Sequence, residues 1–260
     1  MSRDMTVSEI RAILADADPD SFDVLESRFS ADERVGVVTA ISAARRRMQK
    51  ITRESDRLHQ LYALECEIRA TGCTHVAGVD EVGRGALAGP VSAGAVILPV
   101  EPLLNGLNDS KLLSPERRTE LAAIIRQHAV SFSVAHVQAP DIDRLGIAGA
   151  TRLAMKLAVE ALHIQPDHVI IDGLPNGLGK GETAVVKGDS RVAAIAAASI
   201  VAKVERDSLM VRHAPDHPVY GFEINKGYGT REHMDAILTD GPCPLHRRSF
   251  SPCSEEPTLF

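Results

Sequence analysis

Apolar residues follow two different spacings along the chain, and the change falls near Thr74. Before that point Ile10, Ile13, Leu14, Val24 and Leu25, then Val38, Ile41, Met48, Ile51, Leu58, Leu61 and Leu64 recur at helical intervals. After it, short β-like apolar runs alternate with longer helical stretches, the pattern of an α/β domain. The spacing predicts a helical N-terminal extension over residues 1–72, an α/β domain over 73–252 and a flexible polar tail over 253–260.

Within the α/β part, Val76 to Val79 and Val91 to Leu98 predict a hairpin joined by a glycine-rich loop. Ser114-Pro115-Glu116 supplies an N-cap, a first-turn proline and an early acid, opening a helix through Leu121, Ile124 and Ile125. Ser131 to Val137 is the next predicted strand, and Asp141 to Leu162 an amphipathic helix. His168 to Ile171 is an apolar strand closed by Asp172-Gly173. Thr183 to Val186 predicts one more strand, and the alanine-rich Val192 to Val211 a closely packed final helix. The expected architecture is a mixed sheet with helices packed on it.

Composition narrows the function. Aromatics make up 3% of the 260 residues and Trp is absent, which argues against a surface of repeated base-stacking platforms. A formal net charge of −6 gives no basic footprint for indiscriminate nucleic-acid binding. A cation-loaded acidic cluster would still present a phosphate-friendly face, so a local site stays open. Residues 43–57 carry Arg45, Arg46, Arg47, Lys50, Arg53 and Arg57 without Gly or Pro, either as a solvated helix face or as a nucleic-acid contact. Cys66, Cys73, Cys243 and Cys253 show no metal-type pairing and read as free thiols. With no secretory leader and no membrane-length apolar run, the expectation is a cytoplasmic protein without a membrane partner.

The chemistry concentrates in Val76-Ala77-Gly78-Val79-Asp80-Glu81-Val82-Gly83-Arg84-Gly85, where an apolar run delivers two acids into a glycine-flanked arginine loop. Alternation would send Asp80 and Glu81 to opposite faces of a regular strand, so one site can use both only where the ladder ends. Asp172 closes an apolar strand and Asp189 precedes the alanine-rich helix. Alone, the first reads equally as a turn residue and the second as an N-cap. Together the four are hard oxygen donors without a Cys or His signature, which suits Mg²⁺ or Mn²⁺ over Zn²⁺. A pair of such ions would serve an in-line phosphoryl displacement.

Several separate blocks resemble bacterial ribonuclease HII: Gly78 to Gly85 with Ala88-Gly89-Pro90, Asp109-Ser110-Lys111, Ile171-Asp172-Gly173, Lys187-Gly188-Asp189-Ser190, Ala196 to Val204, Gly227-Tyr228-Gly229-Thr230 and His246-Arg247-Arg248-Ser249-Phe250. Leu112 stands where that family often carries a second lysine. The resemblance implies an RNase H-like mixed β-sheet flanked by helices, hydrolysing RNA in RNA–DNA hybrids and incising duplex DNA at embedded ribonucleotides. It further implies that Asp80, Glu81, Asp172 and Asp189 are catalytic metal ligands. Gly83, Arg84 and Gly85 would read the ribose 2′-OH and its phosphate, with Tyr228 against the sugar and Ser110 and Lys111 on phosphates. Lys203 and His246-Arg247-Arg248 read either as further contacts or as local charge balance. The terminal Leu259-Phe260 loosely resembles peptides that dock on sliding clamps. Two alternatives remain at this level: a two-metal nuclease without ribose discrimination, and a hybrid-binding protein without turnover.

Overall fold

Side-chain caps set the first two helices of the computed structural model, which describes residues 5–179 and 181–254. Thr6 and Glu9 form a capping box for α1 (Val7–Asp16), and Asp18 and Ser21 do the same for α2 (Pro19–Phe29), where Pro19 occupies the first turn. Their apolar faces close with α3 (Val35–Ala70) over Ile10, Leu14, Phe22, Phe29, Val37, Ile41 and Met48. Arg47 donates to the carbonyls of Leu14 and Ala17, satisfying the end of α1. The predicted N-terminal helices are therefore present. Residues Met1–Gln60 form one compact unit and Leu61–Phe260 a second, while α3 itself continues to Ala70.

The second unit is built on a five-stranded sheet among the described residues, in the order β3-β2-β1-β4-β5. Its strands are β1 (Val76–Val82), β2 (Val91–Ile97), β3 (Ser131–Val137), β4 (His168–Asp172) and β5 (Glu182–Val185). The predicted hairpin is antiparallel with Asp80 opposite Gly94, and β4 runs parallel to β1 with Val79 opposite Ile171. One face, with Ala77, Val79, Ala93, Ala95 and Ile97, packs on α5 (Ala139–Glu160). The other carries Val96 against α4 (Pro115–His128) and α6 (Ala193–His213).

The alanines of α6 have a steric cause in the sheet. A Cβ at Gly78 or Gly94 would overlap the backbone of Ala194 or Ala198, so helix and sheet meet at glycine–alanine distance. That close approach seats α6 across β1 and β2. The helix has no side-chain cap of its own at Val192; instead the Ala194 N–H donates to Oε1 of the buried Glu65, 2.7 Å away, from the last turns of α3.

Three expectations need correction. Helix α5 starts two residues earlier than Asp141 because Pro140 fits a first turn, and it bends at Gly146, whose φ is 69°. The alanine-rich helix is not the final one: α7 (Phe222–Asn225) and α8 (Arg231–Asp240) follow, the latter capped by Thr230. The β1 ladder ends on one side only, since its pairing to β4 stops at Val79 while its pairing to β2 continues to Val82. No helix among the described residues is long and apolar enough to cross a membrane. The four cysteines are free thiols. Leu259-Phe260 lies outside the described residues.

Candidate active site

The parallel register that ends at Val79 and Ile171 makes Asp80 and Asp172 the next residues on neighbouring strands. Asp80 is buried, and its Oδ1 accepts from the Glu81 N–H at 2.8 Å. Burial pushes its carboxyl up to about 8; the Ser199 hydroxyl acts against that shift, while the neighbouring Glu81 and Asp172 charges add to it. Burial likewise raises Glu81, offset by Arg84, whose guanidinium is 3.5 Å from Oε1, and reinforced by Asp172. Asp172 accepts from the Gly188 N–H at 2.6 Å. Three of the predicted acids thus sit within electrostatic range of one another.

Asp189 joins them indirectly. It is buried in the turn Gly188–Ser190, not at the N-cap of α6, and its Oδ2 accepts from Lys111 Nζ at 2.9 Å. Lys111 is held protonated first by that bond, and the charges of Asp109 and Asp80 act in the same direction. The adjoining Ser110 hydroxyl is 2.9 Å from that of Ser199, the same serine whose hydroxyl opposes the upward shift of Asp80. Arg118 of α4 fixes this loop by donating to the carbonyls of Ser110 and Leu113. Ser199 stood in the block Ala196 to Val204 without a role of its own, and Arg118 escaped the sequence reading because nothing in its local pattern distinguishes it from other helix residues.

Among the described residues no three acidic, histidine or cysteine side chains close into a finished cation cage. The donor set nevertheless fits a hard divalent cation. All four groups are carboxylates at strand or turn ends, and the repulsion among Asp80, Glu81 and Asp172 is what such a charge relieves.

Beyond Val82 the chain turns through Gly83, whose φ is +80°, and a Cβ there would overlap the Arg206 guanidinium. Gly85 has an ordinary φ and nothing within 4 Å of a Cβ, so its use is open space for an approaching backbone. Arg84 is exposed. Tyr228 is half-buried on a separate loop, with Lys203 Nζ 5.0 Å and Arg206 Cζ 5.1 Å from its ring centroid. Lys203 also pairs with Asp207 at 2.9 Å.

The run His246-Arg247-Arg248 divides by role. Arg248 lies on the surface, its N–H bonded to Asp143, whereas His246 and Arg247 are buried. Arg247 donates to the carbonyls of Gly83, Arg84 and Gly89, and Arg206 to those of Ala88, Pro90 and Lys226. Burial lowers both guanidinium groups, Arg247 to about 10. Arg206 was missed in the sequence, and the buried role of Arg247 was not legible in a run of three cations.

Known proteins match this chain on both sides of residue 70. It matches the family Ribonuclease HII over residues 77–253 and the family Ribonuclease HII N-terminal domain over residues 6–69. Ribonuclease HII of Moorella thermoacetica is 51% identical over 198 residues, covering 76% of this chain and 96% of that protein. Ribonuclease HII of Listeria innocua is 39% identical over 260 residues, covering 100% and 98%. Among solved structures, the PCNA:RNase HII complex from Archaeoglobus fulgidus aligns with a TM-score of 0.57 at 27% identity, covering 72% of this chain and 98% of the matched one.

Proposed function

This chain belongs to the ribonuclease HII family, endoribonucleases that act on RNA–DNA hybrids, and from that premise we propose that it also incises duplex DNA at single embedded ribonucleotides. Asp80, Glu81, Asp172 and Asp189 hold Mg²⁺ or Mn²⁺, two ions during turnover. A divalent cation supplies Lewis-acid stabilisation of the charge that develops on the phosphate oxygens. The protein's own groups do the rest. Ser199 orients Asp80, and Lys111 balances Asp189 and meets a phosphate together with Ser110. The backbone of Gly83, Arg84 and Gly85 approaches the 2′-OH, the group that separates RNA from DNA, while Tyr228 packs on the sugar. Attack by water on phosphorus expels the 3′ oxygen, giving 3′-hydroxyl and 5′-phosphate ends.

The juxtaposition of mutually repelling buried carboxylates with a pinned glycine loop, two residues apart on one strand end, supports this reading most. The test is cleavage of a duplex carrying one ribonucleotide and of its all-DNA counterpart, with the cut mapped. Cutting at the ribonucleotide alone, abolished by EDTA and restored by Mg²⁺ or Mn²⁺, is the expected result. Equal cutting of both duplexes would favour a nuclease without ribose discrimination, and activity in chelator would remove the metal assignment. Docking of Leu259-Phe260 on a sliding clamp belongs to the same reading, supported by the PCNA complex of the Archaeoglobus fulgidus relative. Unchanged clamp affinity after deletion of those two residues would refute it.

A further inference from the structure

Three segments meet beside the glycine loop: residues 83–90, residues 225–230 and residues 243–250. The third is stitched to the first by the Ala88–His246 bridge and by bonds from Arg247 N–H to Leu87 O and from Gly89 N–H to Leu245 O. The first is stitched to the second through Gly227 O, which accepts from the Leu87 and Ala88 N–H groups. From this seam the side chains of His246 and Arg247 reach in different directions.

Arg247 reaches the glycine loop. Its guanidinium donates to Gly83 O at 2.6 Å, Arg84 O at 2.9 Å and Gly89 O at 3.0 Å, with no carboxylate among these acceptors. Burying a cation on carbonyls alone is costly, and an apolar side chain of that volume would be easier to accommodate. What the planar fork supplies is a fixed mutual geometry of three carbonyls.

His246 reaches Tyr228 through His233, and the chemistry of the partners fixes both tautomers. A peptide N–H only donates, so His246 Nδ1 accepts from Cys243 N–H at 2.9 Å, and its proton is on Nε2. That proton points to His233 Nε2 at 3.0 Å. His233 Nδ1 therefore carries a proton and donates it to Tyr228 O, 2.9 Å away. The relay runs in one direction with every site matched, and both rings are neutral. Burial, which lowers both histidines, agrees with that state.

We propose that the adjacent pair His246-Arg247 acts as a positioning unit: it sets the glycine loop and Tyr228 in register, so that together they recognise a ribose. The inference rests on the proposed assignment of ribose reading to Gly83–Gly85 and Tyr228. Neither residue of the pair touches the substrate.

The test measures Kd for a duplex with one ribonucleotide and for the all-DNA duplex, in full-length protein made uncleaving by Asp80→Asn. The readout is the Kd for the all-DNA duplex divided by the Kd for the ribonucleotide duplex, and folding is checked by melting. His246→Leu breaks the relay, and Arg247→Lys keeps the charge but loses the fork. Each is expected to lower the ratio about tenfold, the size of loss that follows when a recognising hydrogen-bond group is left poorly paired. His246→Gln can accept from Cys243 and donate to His233, and it should restore the ratio to within about threefold of the parent. If His246→Leu does not fold, the comparison of Arg247→Lys and His246→Gln with the parent decides alone. Equal weakening of both duplexes, leaving the ratio intact, would overturn the proposal in favour of simple scaffolding. Tyr228→Ala is the control: if it leaves the ratio unchanged, the assignment of ribose reading has failed, whereas a ratio lowered by Tyr228→Ala but not by the pair defeats this inference alone.

Discussion

The carboxylates that end β1 and β4 and the arginines beneath the glycine loop are both charged groups withdrawn from solvent beside the same short loop, yet their surroundings differ. Asp80 has Ser199 and one backbone N–H to set against two neighbouring negative charges, and its carboxyl is pushed up to about 8. Arg206 and Arg247 each donate to three carbonyls, and His246 and His233 complete a relay without a mismatched site. The difference separates two jobs. A site for a cation keeps negative charge under-compensated, whereas a site for shape is saturated by its own hydrogen bonds and so holds one geometry.

The largest test of this contrast is Asp80→Asn. Activity should fall by about 1,000-fold or more, since cation stabilisation of phosphoryl transfer is worth several kcal/mol. In metal-free buffer near neutral pH the same variant should be more stable by about 1–3 kcal/mol, because a carboxyl raised to about 8 must take up a proton or bear a repelled charge in order to fold, and an amide need not. A variant that melts lower than wild type without metal would break the contrast at its acidic end.

Gly83→Ala tests the other end. The positive φ and the overlap with Arg206 predict a loss of roughly 2–4 kcal/mol in denaturant unfolding, with no compensating gain. A loss below about 0.5 kcal/mol would mean that the loop yields easily and is not a rigid template.

The most gradual effect is the pH response, and the two ends give it opposite signs. His246 falls to about 4 from its ordinary 6.5, so between those values the unfolded chain binds the extra proton. Its contribution is complete above about pH 6.5 and is lost as pH falls towards about 4, with a slope of up to about 1.4 kcal/mol per pH unit. Asp80 and Glu65 are raised, to about 8 and about 7, and favour the fold at low pH instead, losing that contribution as pH rises. Urea midpoints of wild type and His246→Gln between pH 4 and 7 isolate the histidine part. The variant should show the flatter acid side, and parallel curves would remove the neutral-relay assignment.

Much of the fold was legible because its causes are local. The hairpin, the Ser114 cap and the strand closed by Asp172 follow from spacing and turn chemistry, and each is present. The bend at Gly146 and the helices after Ala214 were not, since neither leaves a strong periodic signal in the chain. In the site, Asp80 and Glu81 stood out by their loop, while Asp172 and Asp189 gained meaning only beside the other motif blocks. Glu65 was invisible among helix residues, because its role depends on an amide 129 positions away.

The sequence by itself determined most of the strands and long helices, the small residues of α6 and which acids stand at strand ends, since neighbours within a few residues govern those properties. Only the tertiary structure decided which charges are buried and what satisfies them. Arg247 reads as one of three surface cations until Gly83, Arg84 and Gly89, 158 to 164 residues earlier, close around it. Desolvation depends on that closure, and so does the cost or benefit of every charge at this site.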